Sequence, residues 1–293
     1  MTTPKYTARE AELYGRVARI DRLATMPQVA YQLLGALGDE RTTIARLAAI
    51  IQSDPGLTAK MLRLANSAYY GFSTKVTTID RAVIVIGFIE LQLLAVGAGL
   101  AEIFDLSRVP AGFDGEALWH HCLGVSWVAR ELADQAQHAS PGEVMVAGLL
   151  HDIGKLILAT HLAEDYAKVL SAERRGMPYY RAEEEAGLEH ARIGYWLAER
   201  WNLPEVHSRA ILHHHLPLRD TPYLTETCLV FLADRLTKSA GIGLVQQASL
   251  ADLTVALGET GLSLDQLHSV AQRATEHLPT MLSAWFRILS KEA

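Results

Sequence analysis

Apolar residues recur along almost the whole chain at intervals of three and four residues, which places them on one face of an α-helix. The segment after residue 43 shows this pattern, because Ile44, Leu47 and Ile51 share one face behind a threonine that can cap the helix. We find no convincing alternation of apolar and polar residues, as a half-buried strand would show. The pattern therefore predicts an all-α fold.

Short sequence motifs mark two helix starts. Asp54-Pro55 combines an N-cap carboxylate with proline at the first helical position. Ser140-Pro141-Gly142-Glu143 has the same proline placement and the spacing of a capping box. Between them, Pro110, Gly112 and Gly115 form the clearest internal boundary of the chain. Beyond residue 155 the pattern predicts helices near 161–175, 178–187, 190–201, 205–213 and 221–239, and two more within 249–290.

Composition narrows the class of protein. The sequence is 49% hydrophobic and 20% charged, so it can bury a large core, and its net charge of −6 argues against nucleic-acid binding. Cys122 and Cys228 lie far apart and indicate reduced core residues of a cytosolic protein. The most apolar stretch, residues 82–106, is interrupted by glycines and Glu90. It therefore predicts a buried helical region and no membrane span. We expect a cytoplasmic protein that binds neither nucleic acid nor membrane.

The stretch GLLHDIGK at residues 148–155 carries the main candidate chemistry. An apolar run ends there in His151 and Asp152, and Lys155 follows one turn later. Burying a histidine beside an aspartate is costly unless each has a partner, and a metal ion is one such partner. Further candidate ligands stand at predicted helix positions or helix ends: His121, His190, His214, His215 and Asp234.

Imidazole and carboxylate ligands suit iron, manganese, zinc, nickel or cobalt. Asp152 has two oxygens and can bridge two ions, and Lys155 can supply a positive charge to a phosphate oxygen. Each residue also has an ordinary structural interpretation: His121 as a core histidine, His214 and His215 as a solvated helix end, and Asp234 as a helix salt-bridge partner. Sequence spacing alone does not join these positions into one site.

The motifs resemble those of the HDOD family, a branch of the HD metal-dependent phosphohydrolase superfamily that is related to HD-GYP cyclic-di-GMP phosphodiesterases. The resemblance covers roughly residues 20–240. It rests on these segments in order: 23–27 (LATMP), 54–58 (DPGLT), 64–71 (LANSAYYG), 79–87, 119–121 (WHH), 148–155, 190–194 (HARIG) and 201–204 (WNLP).

The resemblance implies an N-terminal helical subdomain packed on an HD-like helical bundle. We accordingly divide the chain into an N-terminal helix (1–22), the N-terminal subdomain (23–110), the HD-like subdomain (111–240) and C-terminal helices (241–293). The family is regarded as a bacterial signal-transduction output module, and many members have lost HD ligands. This chain departs from that tendency because its HD-type positions are intact.

By the same resemblance, His121, His151, Asp152 and Asp234 match the basic ligand set of HD phosphohydrolases. His190 and His214 or His215 match the extra positions of multi-metal HD-GYP sites. The Gly-Tyr-Pro element of those enzymes is absent, because LPLRD follows His215 at residues 216–220. Its loss argues against cyclic-di-GMP hydrolysis.

The leading interpretation is a regulatory HDOD module that keeps a His/Asp site for one or two divalent transition-metal ions. It would act by binding a signalling protein or a nucleotide or phosphate ligand. The alternative is an active phosphohydrolase in which Asp152 holds the ions and Lys155 steadies the phosphate. A third interpretation is a metal-free, hydrogen-bonded core. The sequence does not indicate the oligomeric state.

Overall fold

The computed structural model describes residues 7–20, 26, 28–39, 41–101, 109–219, 222–242 and 250–289. These ranges contain helices and no strand, which confirms the predicted all-α fold. The first helices are α1 (Ala8–Ala18), α2 (Gln28–Gly38), α3 (Ile44–Gln52), α4 (Pro55–Ala65), α5 (Ile79–Ile86) and α6 (Phe88–Ala101). The next are α7 (Gly115–Gln135), α8 (Pro141–Leu150), α9 (Ile153–His161), α10 (Ala163–Arg174) and α11 (Tyr179–Ala186). The last are α12 (His190–Arg200), α13 (Glu205–His213), a 3-10 turn (Pro217–Arg219), α14 (Leu224–Ser239), α15 (Leu250–Thr260) and α16 (Leu264–Leu289).

Side-chain caps set the register of the N-terminal helices. The hydroxyl of Thr43 and the carboxylate of Asp54 accept hydrogen bonds from backbone N–H groups in the first turns of α3 and α4. The Asn66 side chain follows α4 and hydrogen-bonds both the N–H and the C=O of Val76, which ties the end of α4 to the segment before α5. Gly87 separates α5 from α6 at φ +103°, a conformation that disfavours any other residue.

The second half of the chain is built around α7, which packs against α8, α14 and α16. Helix α12 packs against α9 and α13, and there the backbones nearly touch. A Cβ added at Gly154 of α9 would lie 1.9 Å from the carbonyl oxygen of His190, at the start of α12. This close approach brings the start of α12 beside the HD stretch.

The two halves are joined by shared helices. Helix α2 packs against both α6 and α8, and α16 contacts α4 as well as α7 and α14. The N-terminal subdomain is thus packed on the HD-like bundle, as predicted. Helix α1 lies on α12, where Tyr14 and Trp196 make an edge-to-face ring contact. The exact division at residues 22, 110 and 240 stays a prediction. Of the motif at 23–27, only Met26 is within the described residues, and it is buried.

The predicted capping box at Ser140 is absent, and one helix was not predicted. Ser140 precedes α8, but its side chain makes no cap hydrogen bond, and its backbone N–H donates to His138 Nδ1 (3.1 Å) and not to Glu143. Proline does occupy the first turn of α8, as predicted. The segment after Asp152 forms a separate helix, α9, which the sequence analysis did not predict.

Within the described residues, no single helix is both long and apolar enough to cross a bilayer. The segments Ile79–Ile86 and Phe88–Ala98 together meet the length and composition criteria, but they meet at a 113° bend. Their inner faces belong to the hydrophobic core, as the sequence predicted for this apolar stretch, of which residues 102–106 lie outside the described residues. Both cysteines are free and buried, also as predicted.

Candidate metal centre

The structure brings together the side chains of all seven sequence-predicted ligand positions. One group of closely spaced donor atoms contains Asp152, His190, His214 and His215, and a second contains His121, His151 and Asp234. All are buried except His215, which is partly exposed. Most of these residues lie at helix termini, where the chain enters or leaves the bundle interior.

Asp152 stands between the two groups. Its Oδ1 lies 3.1 Å from His190 Nε2 and 3.6 Å from His214 Nε2. Its Oδ2 lies 3.3 Å from His151 Nε2 and 3.7 Å from His121 Nε2. Each carboxylate oxygen therefore faces a different set of imidazoles, as a bridging carboxylate requires.

Four of the histidines have Nδ1 beside an oxygen acceptor. A neutral imidazole carries one N–H, so an acceptor at Nδ1 places the proton there and leaves Nε2 as a lone pair. The acceptors are the carbonyls of Gly148 for His151 (2.7 Å), Ile211 for His214 (2.7 Å) and Ile242 for His121 (3.2 Å), and the carboxylate of Glu183 for His190 (2.7 Å).

The Nε2 atoms converge, and in the neutral form the four rings with an acceptor at Nδ1 carry no proton on Nε2. His121 and His151 Nε2 are 3.2 Å apart, and His190 Nε2 lies 3.4 Å from His214 Nε2 and 3.0 Å from His215 Nε2. Neutral imidazoles arranged in this way repel one another through their lone pairs. A cation among them would turn the repulsion into coordination, and hydrogen-bonded Nδ1 atoms are typical of metal-binding histidines.

Two carboxylate oxygens support the same interpretation. Asp152 Oδ1 and Asp234 Oδ1 are completely buried and have no well-aligned hydrogen bond within the part of the chain that the structure describes. Asp234 Oδ1 nevertheless lies 2.9 Å from His121 Nε2 and 2.8 Å from Lys238 Nζ. Buried polar atoms rarely stay unsatisfied, so these oxygens are suited to a metal ion. The donor set therefore fits a divalent transition metal.

Electrostatics favour charged carboxylates and mostly neutral imidazoles. Burial raises the pKa of Asp152, but Lys155 and the nearby imidazoles outweigh it and hold the pKa well below the usual value. Burial lowers the pKa of His214 to about 3. Burial also acts to lower the pKa of His190, but Glu183 and Asp152 bring it above the ordinary value. A low imidazole pKa keeps the metal-binding form of the ring populated.

Two functional candidates were missed by the sequence analysis. Glu183 is buried and accepts from both the backbone N–H and the Nδ1 of His190. It sits in a run of three glutamates that resembles a solvated helix face, so no sequence pattern distinguished it. Lys238 pairs with Asp234 at 2.8 Å, and its i,i+4 spacing could have revealed it. Lys155, predicted to meet a phosphate, pairs with Asp152 at 2.6 Å.

We expect Glu183→Gln to weaken metal binding about 10- to 100-fold, the usual effect of losing the acceptor behind a histidine ligand. The amide keeps the size of the side chain but lacks the charge that orients His190. Titration against a chelator of known affinity measures the change. Glu184→Gln, at the exposed neighbouring position, is the control and should bind metal as the unchanged protein does. Equal affinity for both variants would show that Glu183 does not position His190.

A cavity of about 420 Å³ opens onto the cluster. His121, Asp152, Lys155 and Lys238 line its inner end. The sides are mostly apolar and aromatic, and the outer end lies between α10 and the segment before α7. A small molecule in this cavity would therefore contact the candidate metal ligands directly.

Comparison with known proteins agrees with this architecture. The sequence model of the HDOD domain matches residues 23–217. The chain belongs to the HDOD domain family. This HDOD chain is 32% identical over 210 residues to an uncharacterised protein of Treponema pallidum (strain Nichols), across 68% of the chain and 39% of the relative. YuxH of Bacillus subtilis (strain 168), also uncharacterised, is 25% identical over 131 residues, which cover 43% of this chain and 30% of YuxH. The HDOD chain thus spans less than half the length of these curated relatives.

Solved structures share the fold of the HDOD chain. An HDOD domain protein of unknown function from Geobacter sulfurreducens is 24% identical with a TM-score of 0.73, covering 94% of this chain and 99% of that one. A proposed signal transduction protein from Marinobacter aquaeolei VT8 is 22% identical with a TM-score of 0.79, covering 97% and 66%. A proposed phosphohydrolase from Shewanella amazonensis SB2B is 24% identical with a TM-score of 0.70, covering 97% and 99%. At these identities the likeness establishes the fold.

Proposed function

We propose that this HDOD chain is a bacterial regulatory module that holds one or two divalent transition-metal ions in its buried His/Asp cluster. The observation that carries the proposal is the convergence of five imidazole Nε2 atoms on two aspartates, with an oxygen acceptor at Nδ1 of four of the five rings. In a metal-free core, a proton on Nε2 of any of these four neutral rings would leave the acceptor at its Nδ1 without a donor. The cluster instead collects lone pairs and carboxylate oxygens, which is the donor set of a metal site.

His190, His214, His215 and Asp152 would hold one ion, and His121, His151 and Asp234 a second, with Asp152 shared between them. Iron, manganese, nickel, zinc and cobalt all accept these ligands. A bound ion of this kind supplies Lewis acidity and a bound water of lowered pKa. As a regulatory module, the chain would transmit its state by binding a signalling protein, with the cavity over the cluster as the place where a small ligand enters.

The second candidate function is a metal-dependent phosphohydrolase. The cavity favours it, because Asp152 and Lys155 line the inner end and would meet any molecule that enters. In that function the Lys155 ammonium would steady a phosphate oxygen, and Asp152 and the imidazoles would hold the ions. The solved relative proposed as a phosphohydrolase has the same fold and adds support at that level.

Elemental analysis of the purified protein after iron, manganese, nickel, zinc and cobalt supply tests the metal site. We expect near-stoichiometric metal that is lost in the double variant His151→Ala/Asp152→Ala. If every preparation is metal-free, both metal-dependent functions are wrong. A hydrolysis screen over phosphate esters on the same samples separates the two. Turnover that disappears in the double variant supports the enzyme, whereas capture of a signalling protein without turnover supports the module.

A further inference from the structure

The cavity over the cluster has three chemically distinct regions. Its inner end contains the ammonium groups of Lys155 and Lys238, each paired with an aspartate, next to the candidate metal ligands. Its sides are apolar or aromatic, and its outer end is polar and partly exposed. A ligand that matches all three regions needs an anionic end, a ring-bearing middle part and a polar edge.

The inner end provides donors for a phosphate group. Lys238 is buried, and the Lys155 side chain is only 12% exposed. Each ammonium carries three N–H donors and is paired with a single aspartate, Asp152 for Lys155 and Asp234 for Lys238. Donors therefore remain on two lysines that come from different helices. Charge-assisted bonds from two ammonium groups suit the terminal oxygens of a phosphomonoester.

The sides offer ring faces and few free polar atoms. The hydroxyls of Tyr166 and Tyr179 are hydrogen-bonded to each other at 2.9 Å, so one of their two O–H donors is already used. Phe113 lies edge-on to Tyr166, with ring centroids 6.1 Å apart, and Leu118 and Leu170 complete the apolar surface. Such a surface packs well against a flat organic ring.

The outer end pairs a hydrogen-bond donor with a carboxyl group. The Arg174 guanidinium packs against Gly112, where an added Cβ would lie 2.7 Å from Nη1. Arg174 is exposed and makes no side-chain hydrogen bond within the described ranges. Its neighbour Glu173 is half-buried at the same cavity, and burial raises the pKa of its carboxyl group. Together they can bond the donor and acceptor edge of a heterocyclic base.

The size of the cavity limits the ligand. Its volume of about 420 Å³ is near the lower end of small-molecule pockets, which span roughly 300–1,000 Å³. One nucleotide suits this volume better than two. We propose that the cavity binds a nucleoside 5′-monophosphate, with the phosphate at Lys155 and Lys238 and the base between Phe113 and Arg174. The proposal deepens the proposed ligand-binding function of the same site and rests on it.

Calorimetric titration of the metal-loaded chain tests the proposal. The probes are adenosine and guanosine 5′-monophosphates, the two nucleosides, ribose 5-phosphate, inorganic phosphate and a cyclic dinucleotide. We expect at least one monophosphate to bind tenfold or more tightly than its nucleoside, ribose 5-phosphate, inorganic phosphate and the cyclic dinucleotide. If neither monophosphate binds, or if the nucleosides or ribose 5-phosphate bind equally well, the proposal is wrong.

Arg174→Ala and Arg175→Ala form a matched pair of variants. Both arginines are exposed near the end of α10, but Arg175 bonds Ser171 and does not line the cavity. We expect Arg174→Ala to weaken nucleotide binding about tenfold, and Arg175→Ala to leave it unchanged. Equal effects in the two variants would overturn the base-binding role of Arg174.

Metal content measured on each sample distinguishes a failure of the nucleotide assignment from a failure of the proposed metal site. Protein that retains its metal but binds no monophosphate contradicts only the nucleotide assignment. Protein that never contains metal contradicts the proposed metal-holding function, whatever the nucleotide result. A metal-loaded sample that binds the monophosphate, and loses this preference on Arg174→Ala alone, supports both.

Discussion

Gly154→Ala is expected to lower the free energy of unfolding by about 3 kcal/mol or more, at the upper end of overpacking effects. The added Cβ would lie 1.9 Å from the His190 carbonyl oxygen and 2.9 Å from the Gly194 backbone nitrogen. Both obstacles are backbone atoms of α12, so no side-chain rotation can make room. Helices α9 and α12 would have to separate, and the separation would move His190 away from Asp152. Chemical denaturation measures the stability change.

The control for this substitution is Gly258→Ala in α15, where nothing lies within 4 Å of the added Cβ. A glycine in an open helical position is expected to gain about 0.5–1 kcal/mol on replacement by alanine. The same glycine-to-alanine change is thus expected to destabilise the protein at residue 154 and to stabilise it at residue 258. If the Gly154→Ala variant were as stable as the unchanged chain and bound metal equally well, this result would contradict the close backbone contact between α9 and α12.

Asp152→Asn is expected to reduce metal affinity more than 100-fold, a larger loss than the 10- to 100-fold typical of residues that only orient a ligand. The amide keeps the shape but removes the charge that faces both groups of imidazoles. It also leaves Lys155 nearly buried without its carboxylate at 2.6 Å. Breaking a buried ion pair from one side costs about 3–5 kcal/mol, so stability should fall as well. Chelator competition and denaturation measure the two effects separately.

Asp165→Asn provides a control at the surface. Asp165 pairs at 2.6 Å with Lys168, a lysine three residues later, and also at 2.6 Å with the exposed Arg16 of α1. The Lys168 side chain is 73% exposed, however, and such surface pairs contribute about 0–1 kcal/mol. We expect little change in stability and none in metal content. If Asp152→Asn and Asp165→Asn changed stability and metal content by similar amounts, the burial of Asp152 would not explain the effect of replacing it.

The helical pattern predicted most of the fold because its determinants are local. The Asp54 cap and the proline after it need only neighbouring residues, and both occur as predicted. The Ser140 capping box failed because His138 takes the backbone N–H that Glu143 would have bonded. Helix α9 was not predicted because it begins only three residues after α8 ends, so its apolar residues continue the apolar run of α8.

The sequence predicted which residues form the candidate site but not how they are arranged. Residue chemistry and the family motifs named the seven cluster residues, yet nothing local could show that Asp152 lies between two groups of imidazoles. Glu183 is a different case, since its contact with His190 depends on how α11 meets α12. Lys238 could have been found from its i,i+4 spacing to Asp234, although Arg235, the next residue in the sequence, is an alternative partner for the same carboxylate.

A metal held by this cluster would also act as a reversible cross-link of the chain. Its ligands run from residue 121 to residue 234 and belong to α7, α14 and the ends of α8, α12 and α13. Such a link closes long loops, as a disulfide does in a secreted protein. Each tenfold excess of free metal over Kd would add about 1.4 kcal/mol to folding. The lifetime of the protein in the cell would therefore follow the supply of metal.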